Sequence, residues 1–249
     1  MSGLKLEICL VYLDDIFVFS KELPDNLQKL RKIFERLRVA KLKSTKCKLL
    51  QRRVGFLGHV VSEVGIATNP EKIKSVETWL TPTSLKEVRS FLGLCSYYRR
   101  FVKGFSKIAS PLHRLAGKNV PFVWTPECQQ AFEELRLALT TTLVLAMPTD
   151  EDTYILDSDA SYHAIGAVLS QVQARKDRVI AYASRTYSKA EVNYCATRQE
   201  LLAVVHFVKH FKQYLLGREF VIRTDHAALT WLQRTLDIIG QQARWQKRM

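Results

Sequence analysis

Apolar positions follow two different periods along this chain. Residues 6–20, LEICLVYLDDIFVFS, hold two short runs rich in Ile, Val, Phe and Tyr, split by Asp14-Asp15. That pattern predicts a tight β-hairpin with two carboxylates at its tip. From 25 to 40 the period changes: Leu27, Leu30, Ile33, Phe34 and Leu37 fall at helical spacing, with basic residues on the other face. Val54–Val61 predicts a strand, Ser62–Gly65 a turn, and Ile66–Thr68 a returning segment. Three helix starts follow. Asn69-Pro70 sets an N-cap before an N1 proline, for a helix through Leu80. Ser84-Leu85-Lys86-Glu87 is a capping box, for a helix to about Phe101 interrupted by Gly93. Thr125-Pro126-Glu127 opens a third, with Ala131, Phe132, Leu135 and Leu139 on one face. Between them, 102–124 carries Pro111 and Pro121 and predicts mixed loop and short helix.

The last hundred residues change character. Thr153–Leu156 predicts a strand ending in Asp157-Ser158-Asp159, Ile165–Gln171 a second and Val179–Ser184 a third. Residues 190–215 predict one long helix carrying Leu201, Leu202, Val204, Val205, Val208 and Phe211. Phe220–Thr224 predicts a fourth strand ending at Asp225, before a short helix near Ala227–Leu232. Strands, then helix, strand and helix, give a mixed α/β order for this part and an α+β class for the chain. No repeat of 20–50 residues occurs.

Composition narrows the function classes. At 249 residues, 47% hydrophobic and 25% charged, the chain is long enough for two small domains and is neither collagenous nor disordered. Apolar runs such as Ile8–Leu13 are too short to span a membrane, and the N-terminus has no apolar signal core. Cys9, Cys47, Cys95, Cys128 and Cys195 form no C-x-x-C pair, which argues against a disulfide framework or structural zinc and for an intracellular chain. The net charge of +14 points to a polyanionic partner, nucleic acid before membrane. Twelve Lys and Arg against three acids lie between Lys21 and Arg53, as a phosphate-tracking face would need.

Two sets of carboxylates invite chemistry. Asp14 and Asp15, adjacent at a hairpin tip, repel unless a cation sits between them or solvent screens them. Magnesium is commonly held by one or two carboxylates plus substrate phosphates, yet Asp is also a common turn residue. Asp159 and Asp225 each end a predicted strand, and Glu200 lies on the helix that would cover the same sheet. The three would either converge as an oxygen-rich site for two-metal phosphodiester hydrolysis, or serve as loop caps and a surface helix residue. His206 and His210 at i, i+4 lack a third ligand nearby and read as a satisfied or solvated pair.

Six motifs in order resemble one family. Tyr12-Leu13-Asp14-Asp15 with Ile16-Phe17-Val18-Phe19-Ser20 is similar to the Y-x-D-D signature of reverse transcriptases from gypsy-type LTR retrotransposons. Phe56-Leu57-Gly58-His59 resembles that family's primer-contacting hairpin, and Phe91-Leu92-Gly93-Leu94 with Tyr97-Tyr98-Arg99-Arg100-Phe101 its thumb. Asp159-Ala160-Ser161 with Gly166–Gln171, Glu200–Val205 and Thr224-Asp225-His226 are similar to its ribonuclease H motifs.

The resemblance implies a partial reverse-transcriptase palm over 1–68, a thumb over 69–118, a connection over 119–151 and a ribonuclease H-like domain over 152–249. It implies Asp14 and Asp15 as polymerase catalytic metal ligands. Asp159, Glu200 and Asp225 would be ribonuclease H ligands, for Mg²⁺ with Mn²⁺ as an alternative. Asp159 is preferred to Asp157 because the motif sets the ligand directly before Ala-Ser. Nucleic-acid contacts are implied for Phe56, Leu57, Gly58, His59, Tyr97, Tyr98, Arg99 and Arg100, some of the aromatics being needed for the core. The implied partners are an RNA–DNA hybrid, an RNA template with a DNA primer, and deoxynucleoside triphosphates, in a cytoplasmic particle or the nucleus. The family's third polymerase Asp would precede Met1, and its fourth ribonuclease H carboxylate would follow Met249, so the resemblance implies a fragment. The alternative class is a non-catalytic nucleic-acid-binding remnant; a basic structural domain would require the ordered motifs to be coincidence.

Overall fold

The computed structural model describes residues 8–13, 15–38 and 46–225. The chain divides into two compact units, residues 1–63 and 64–249.

In the first unit, β1 (Cys9–Tyr12) and β2 (Asp15–Val18) form the expected antiparallel hairpin, with Tyr12 opposite Asp15. Helix α1 (Leu23–Arg36) opens with Pro24 in its first turn and buries Ile33, as the apolar spacing requires. The predicted single strand over Val54–Val61 is instead two, β3 (Arg53–Phe56) and β4 (His59–Ser62). Leu57 at φ +45° and Gly58 at φ +66° make the two-residue turn between them. Both central residues have positive φ, the geometry that matches strand twist, but with Leu where Asn is usual the turn is hard to see in sequence. The Phe17 and Phe56 rings stack at 4.9 Å, joining the two hairpins of this unit.

The second unit combines a helical layer and a sheet. After β5 (Gly65–Thr68) come α2 (Pro70–Glu77), α3 (Leu85–Tyr97), a 3₁₀ turn at Arg99–Phe101, α4 (Phe105–Leu115) and α5 (Pro126–Thr140). Gly65, at φ +139°, lies where a Cβ would meet Leu145 O at 2.0 Å, so only glycine permits the Ile66–Leu145 bridge. The caps form as expected: Asn69 Oδ1 accepts from Glu71 N–H at 2.9 Å, and Ser84 Oγ from Glu87 N–H at 3.4 Å. The Glu87 carboxylate accepts from Thr83 N–H, one residue before the reciprocal bond of a standard capping box. Residues 102–124 differ from expectation, because Phe105–Leu115 is a regular helix with Pro111 inside it. Phe91, Tyr98, Phe105, Leu112, Phe132 and Leu135 are fully buried in a single core, so α5 packs with the predicted thumb helices rather than as a separate connection. Truncating Phe132 to Ala would cost ~3–5 kcal/mol.

The sheet has the order β8-β7-β6-β9, from β6 (Tyr154–Ala160), β7 (Ala164–Gln173), β8 (Lys176–Thr186) and β9 (Phe220–Arg223). β6, β7 and β8 are antiparallel neighbours, while β9 runs parallel to β6. The crossover carries α6 (Ala196–His210) and the short α7 (Lys212–Leu215), so the predicted long helix breaks at Phe211. Leu202, Ala203 and Phe207 of α6 pack on Tyr154, Leu156 and Ile165. The register shifts by one between Leu169 and Ser170: Ala181 faces Leu169 but Val179 faces Ser170. This bulge turns Val179 and Tyr182 together toward the helical core, where both pack. Among the described residues no helix is long and apolar enough to cross a membrane.

Candidate active-site cleft

Asp159 lies within β6 rather than after it, opposite Gly166 of β7. On the other side of β6, Asp157 is in parallel register with Arg223. Asp225 follows Arg223 by two residues, as Asp159 follows Asp157, so the same row points to both. Asp159 and Asp225 are exposed and line one open cleft of about 510 Å³, together with Lys103 from the helical layer.

Asp157 lines the same cleft but is otherwise engaged. Arg223 Nε and Nη2 donate to its two carboxylate oxygens at 2.6 and 2.9 Å, and Arg223 also pairs with Asp177 at 2.9 Å. The hydrogen bonds that Arg223 donates to Asp157 and then Asp177 hold the guanidinium above its ordinary pKa. The two carboxylates thereby differ: Asp157 is neutralised by Arg223, while Asp159 makes no ion pair among the described residues.

Glu200 projects from α6 and is buried; its Oε1 accepts from Ala160 N–H at 3.2 Å, one residue beyond Asp159. The Tyr187 phenol is pushed up to about 12, first by burial and then by the carboxylates of Glu200 and Asp159, which places all three in one electrostatic neighbourhood. Its hydroxyl is buried with no hydrogen-bond partner among the described residues. Two exposed carboxylates on a common cleft suit a hard divalent cation in donor type. The convergence expected of all three is not reached: among the described residues no three His, Cys, Asp or Glu side chains are grouped to hold a metal ion. The rings of His206 and His210 stack at 6.3 Å, and burial, then Arg185, lowers His206 to about 4.

In the first unit, Asp14 lies outside the described residues. Asp15 is exposed at the start of β2, and Leu13 before the pair takes φ +49°, a costly conformation for a residue with a Cβ. Leu57 and Gly58 form the tip of the β3–β4 hairpin, Phe56 is half-buried against Phe17, and His59 Nδ1 lies 2.7 Å from Leu57 O. Of the ten described Lys and Arg between Lys21 and Arg53, only Lys29 is not exposed; it pairs with Asp25 at 2.7 Å. Lys41, Lys43 and His226 lie outside the described residues.

The expected contacts at Tyr97–Arg100 need correction. Tyr98 is 1% exposed and belongs to the core, whereas Tyr97 is 50% exposed. Arg99 donates to Ser184 O at 2.6 Å and sits over the Phe105 ring. Arg100 donates to Ile180 O at 3.4 Å and to Tyr214 OH at 3.5 Å. Both guanidinium groups fasten the helical layer to the sheet. Their partners lie 80 to 114 residues away, so local sequence shows two arginines and not their use. Sequence reasoning also missed Arg223, which its spacing from Asp225 on one strand face would reveal, and Lys103 and Tyr187, for which no local signal exists.

Residues 124–222 match the family described as the RNase H-like domain found in reverse transcriptase. That stretch begins at Trp124 and takes in α5 as well as the sheet. The retrovirus-related Pol polyprotein from transposon 297 of Drosophila melanogaster is 40% identical over 244 residues, 97% of this chain and 23% of the relative. The Pol polyprotein from transposon 412 of the same organism is 36% identical over 93% of this chain and 19% of the relative. The Tf2-3 polyprotein of Schizosaccharomyces pombe is 35% identical over 88% of this chain and 17% of the relative. The chain therefore spans about a fifth of the length of these curated relatives. In fold it resembles foamy viral protease-reverse transcriptase in complex with double-stranded DNA, with TM-score 0.82 and 24% identity over 96% of this chain and 43% of that one. Foamy viral protease-reverse transcriptase in complex with an RNA/DNA hybrid gives 0.81 and 24% over 96% of this chain and 34% of that one. The chain thus carries an RNase H-like domain of the reverse-transcriptase kind, and its homologues over most of its length are retrotransposon Pol polyproteins, gypsy-type ones among them.

Proposed function

We propose that the second unit hydrolyses the RNA strand of RNA–DNA hybrids, and that the first unit belongs to the palm of an RNA-directed DNA polymerase acting on an RNA template, a DNA primer and deoxynucleoside triphosphates. The observation that carries the hydrolytic reading is the pairing of Asp159 and Asp225 on one cleft while Asp157 is consumed by Arg223. Hydrolysis of a phosphodiester adds water oxygen to phosphorus and breaks the bond to the leaving sugar oxygen, which takes up a proton. Mg²⁺, or Mn²⁺ in its place, would be held by Asp159 and Asp225, with Glu200 as third ligand once its carboxylate turns from Ala160 N–H. When bound, it supplies Lewis-acid stabilisation of charge building on the phosphate oxygens. The side chains do the positioning. Glu200 ties α6 to the end of β6 beside Asp159. Arg223 keeps Asp157 and Asp177 from adding uncompensated negative charge to a cleft that must admit a polyanion. In the first unit, Asp14 and Asp15 are the corresponding metal ligands and the Phe56–His59 hairpin the primer contact.

A second reading is a non-catalytic nucleic-acid binder, favoured by the Glu200 carboxylate bonding to backbone and by the lack of a three-residue metal group among the described residues. Incubation with a hybrid, the matching DNA duplex and the single-stranded RNA, each with Mg²⁺, with Mn²⁺ and with EDTA, separates the two. The hydrolytic reading expects metal-dependent cutting of RNA in the hybrid alone. Binding of the hybrid without cutting under either metal overturns it.

A further inference from the structure

Lys103 sits in the link between the 3₁₀ turn and α4, and it lines the cleft of Asp159 and Asp225. It is exposed, and it forms no salt bridge among the described residues. Among the described residues the cleft's other cation is Arg223, which is committed to Asp157 and Asp177. The link is held from both sides by a single residue of β8: Arg99 donates to Ser184 O at 2.6 Å, and Ser106 N–H donates to Ser184 Oγ at 2.8 Å. Ser184 faces Gly166, and Gly166 faces Asp159, so the three form one row across the sheet. Strands are spaced ~4.8 Å apart, which sets the Ser184 anchor about 10 Å from Asp159. Gly166 between them has no side chain to fill that gap. The arrangement is a glycine-floored slot with carboxylates at one end and a tethered, uncompensated ammonium on its rim.

We propose that Lys103 binds a backbone phosphate of the nucleic-acid duplex and positions it in this slot. The inference rests on the reading of the cleft as hydrolytic and names the residue that holds its substrate. Two exposed carboxylates repel a polyanion, and Lys103 supplies the opposing charge where it is needed. It touches phosphate rather than the reacting atoms alone, so its effect falls first on binding.

Lysine acylation followed by mass spectrometry tests this on the full chain with a saturating RNA–DNA hybrid in EDTA, where no cleavage occurs. Lys103 should be acylated several-fold more slowly in the complex. Lys118, beyond the far end of α4, should react alike with and without hybrid. In parallel, Lys103→Ala should weaken hybrid binding and reduce the log–log salt slope by about 0.9, with Lys103→Arg restoring both. A saturated complex in which Lys103 reacts at its free rate, or a Lys103→Ala slope equal to that of the unaltered chain, overturns the proposal while leaving the hydrolytic reading in place. A chain that binds no hybrid overturns both.

Discussion

Helix α4 begins without a local cap: its N-cap is Gly104 at φ +67°, and no side chain near it in sequence accepts from the first turn. The acceptor comes instead from Ser184, 78 residues later, whose Oγ takes the Ser106 N–H at 2.8 Å and lies 3.1 Å from Ser106 Oγ. Both residues are buried. Ser184→Ala removes the acceptor and leaves a buried backbone N–H with no partner, a loss of about 1–3 kcal/mol. For a unit of this size that is a fall in Tm of ~3–9 °C. Ser106→Ala keeps the Ser184 acceptor for the N–H and removes only the hydroxyl pair, so it should cost under about 1 kcal/mol. Urea denaturation followed by circular dichroism measures both variants, and hydrogen exchange at the Ser106 amide reports the bond itself. If Ser184→Ala lies within about 0.3 kcal/mol of the unaltered chain, or Ser106→Ala is the more damaging of the two, the tertiary cap is not what holds α4 to the sheet.

Glu191 accepts from Arg185 at 2.8 and 3.1 Å, which with Ser188 holds its carboxyl at about 2 against an ordinary 4.5. A depressed carboxylate stabilises fully above its unfolded pKa, so this contribution is complete above pH ~4.5 and lost as pH falls toward 2. Glu191→Gln should lose about 1–2 kcal/mol at pH 7 and little at pH 2, and a constant difference across that range refutes the assignment. Leu57→Asn suits the positive φ of its hairpin turn and should stabilise it by about 0.5–1 kcal/mol; an unchanged denaturation midpoint counts against strain at Leu57. Replacing exposed Arg31, Lys32 and Arg36 on α1 by Ala should reduce the salt slope of duplex binding by about 0.9 for each phosphate no longer neutralised, and a slope equal to the parent's removes that face from the interface.

The hairpin at Cys9–Val18 and helices α1, α3 and α5 were legible because their signals are local: apolar period, turn residues and N-caps lie within a few positions of one another. Where partners are distant, legibility failed. Helix α4 carries Pro111 and takes its cap from Ser184, so nothing nearby in sequence marks its start. Arg99 and Arg100 look like phosphate ligands until β8 supplies their carbonyl acceptors. The β3–β4 turn hides behind a leucine in a conformation usually given to Asn or Gly. At the cleft, motif resemblance selected Asp159 over Asp157. The Arg223 ion pair that sets these two carboxylates apart depends on parallel pairing between strands more than sixty residues apart.

That distinction allows the most direct test of the hydrolytic site. Cleavage of a labelled RNA–DNA hybrid in Mg²⁺ or Mn²⁺ should be compared for the chain and for Asp157→Asn, Asp159→Asn and Asp225→Asn, each first shown to be folded. Cleavage should vanish with Asp159→Asn and with Asp225→Asn, and should persist with Asp157→Asn, whose partner Arg223 retains Asp177. Cleavage that survives loss of Asp159 and Asp225 but not of Asp157 would contradict the site at its centre.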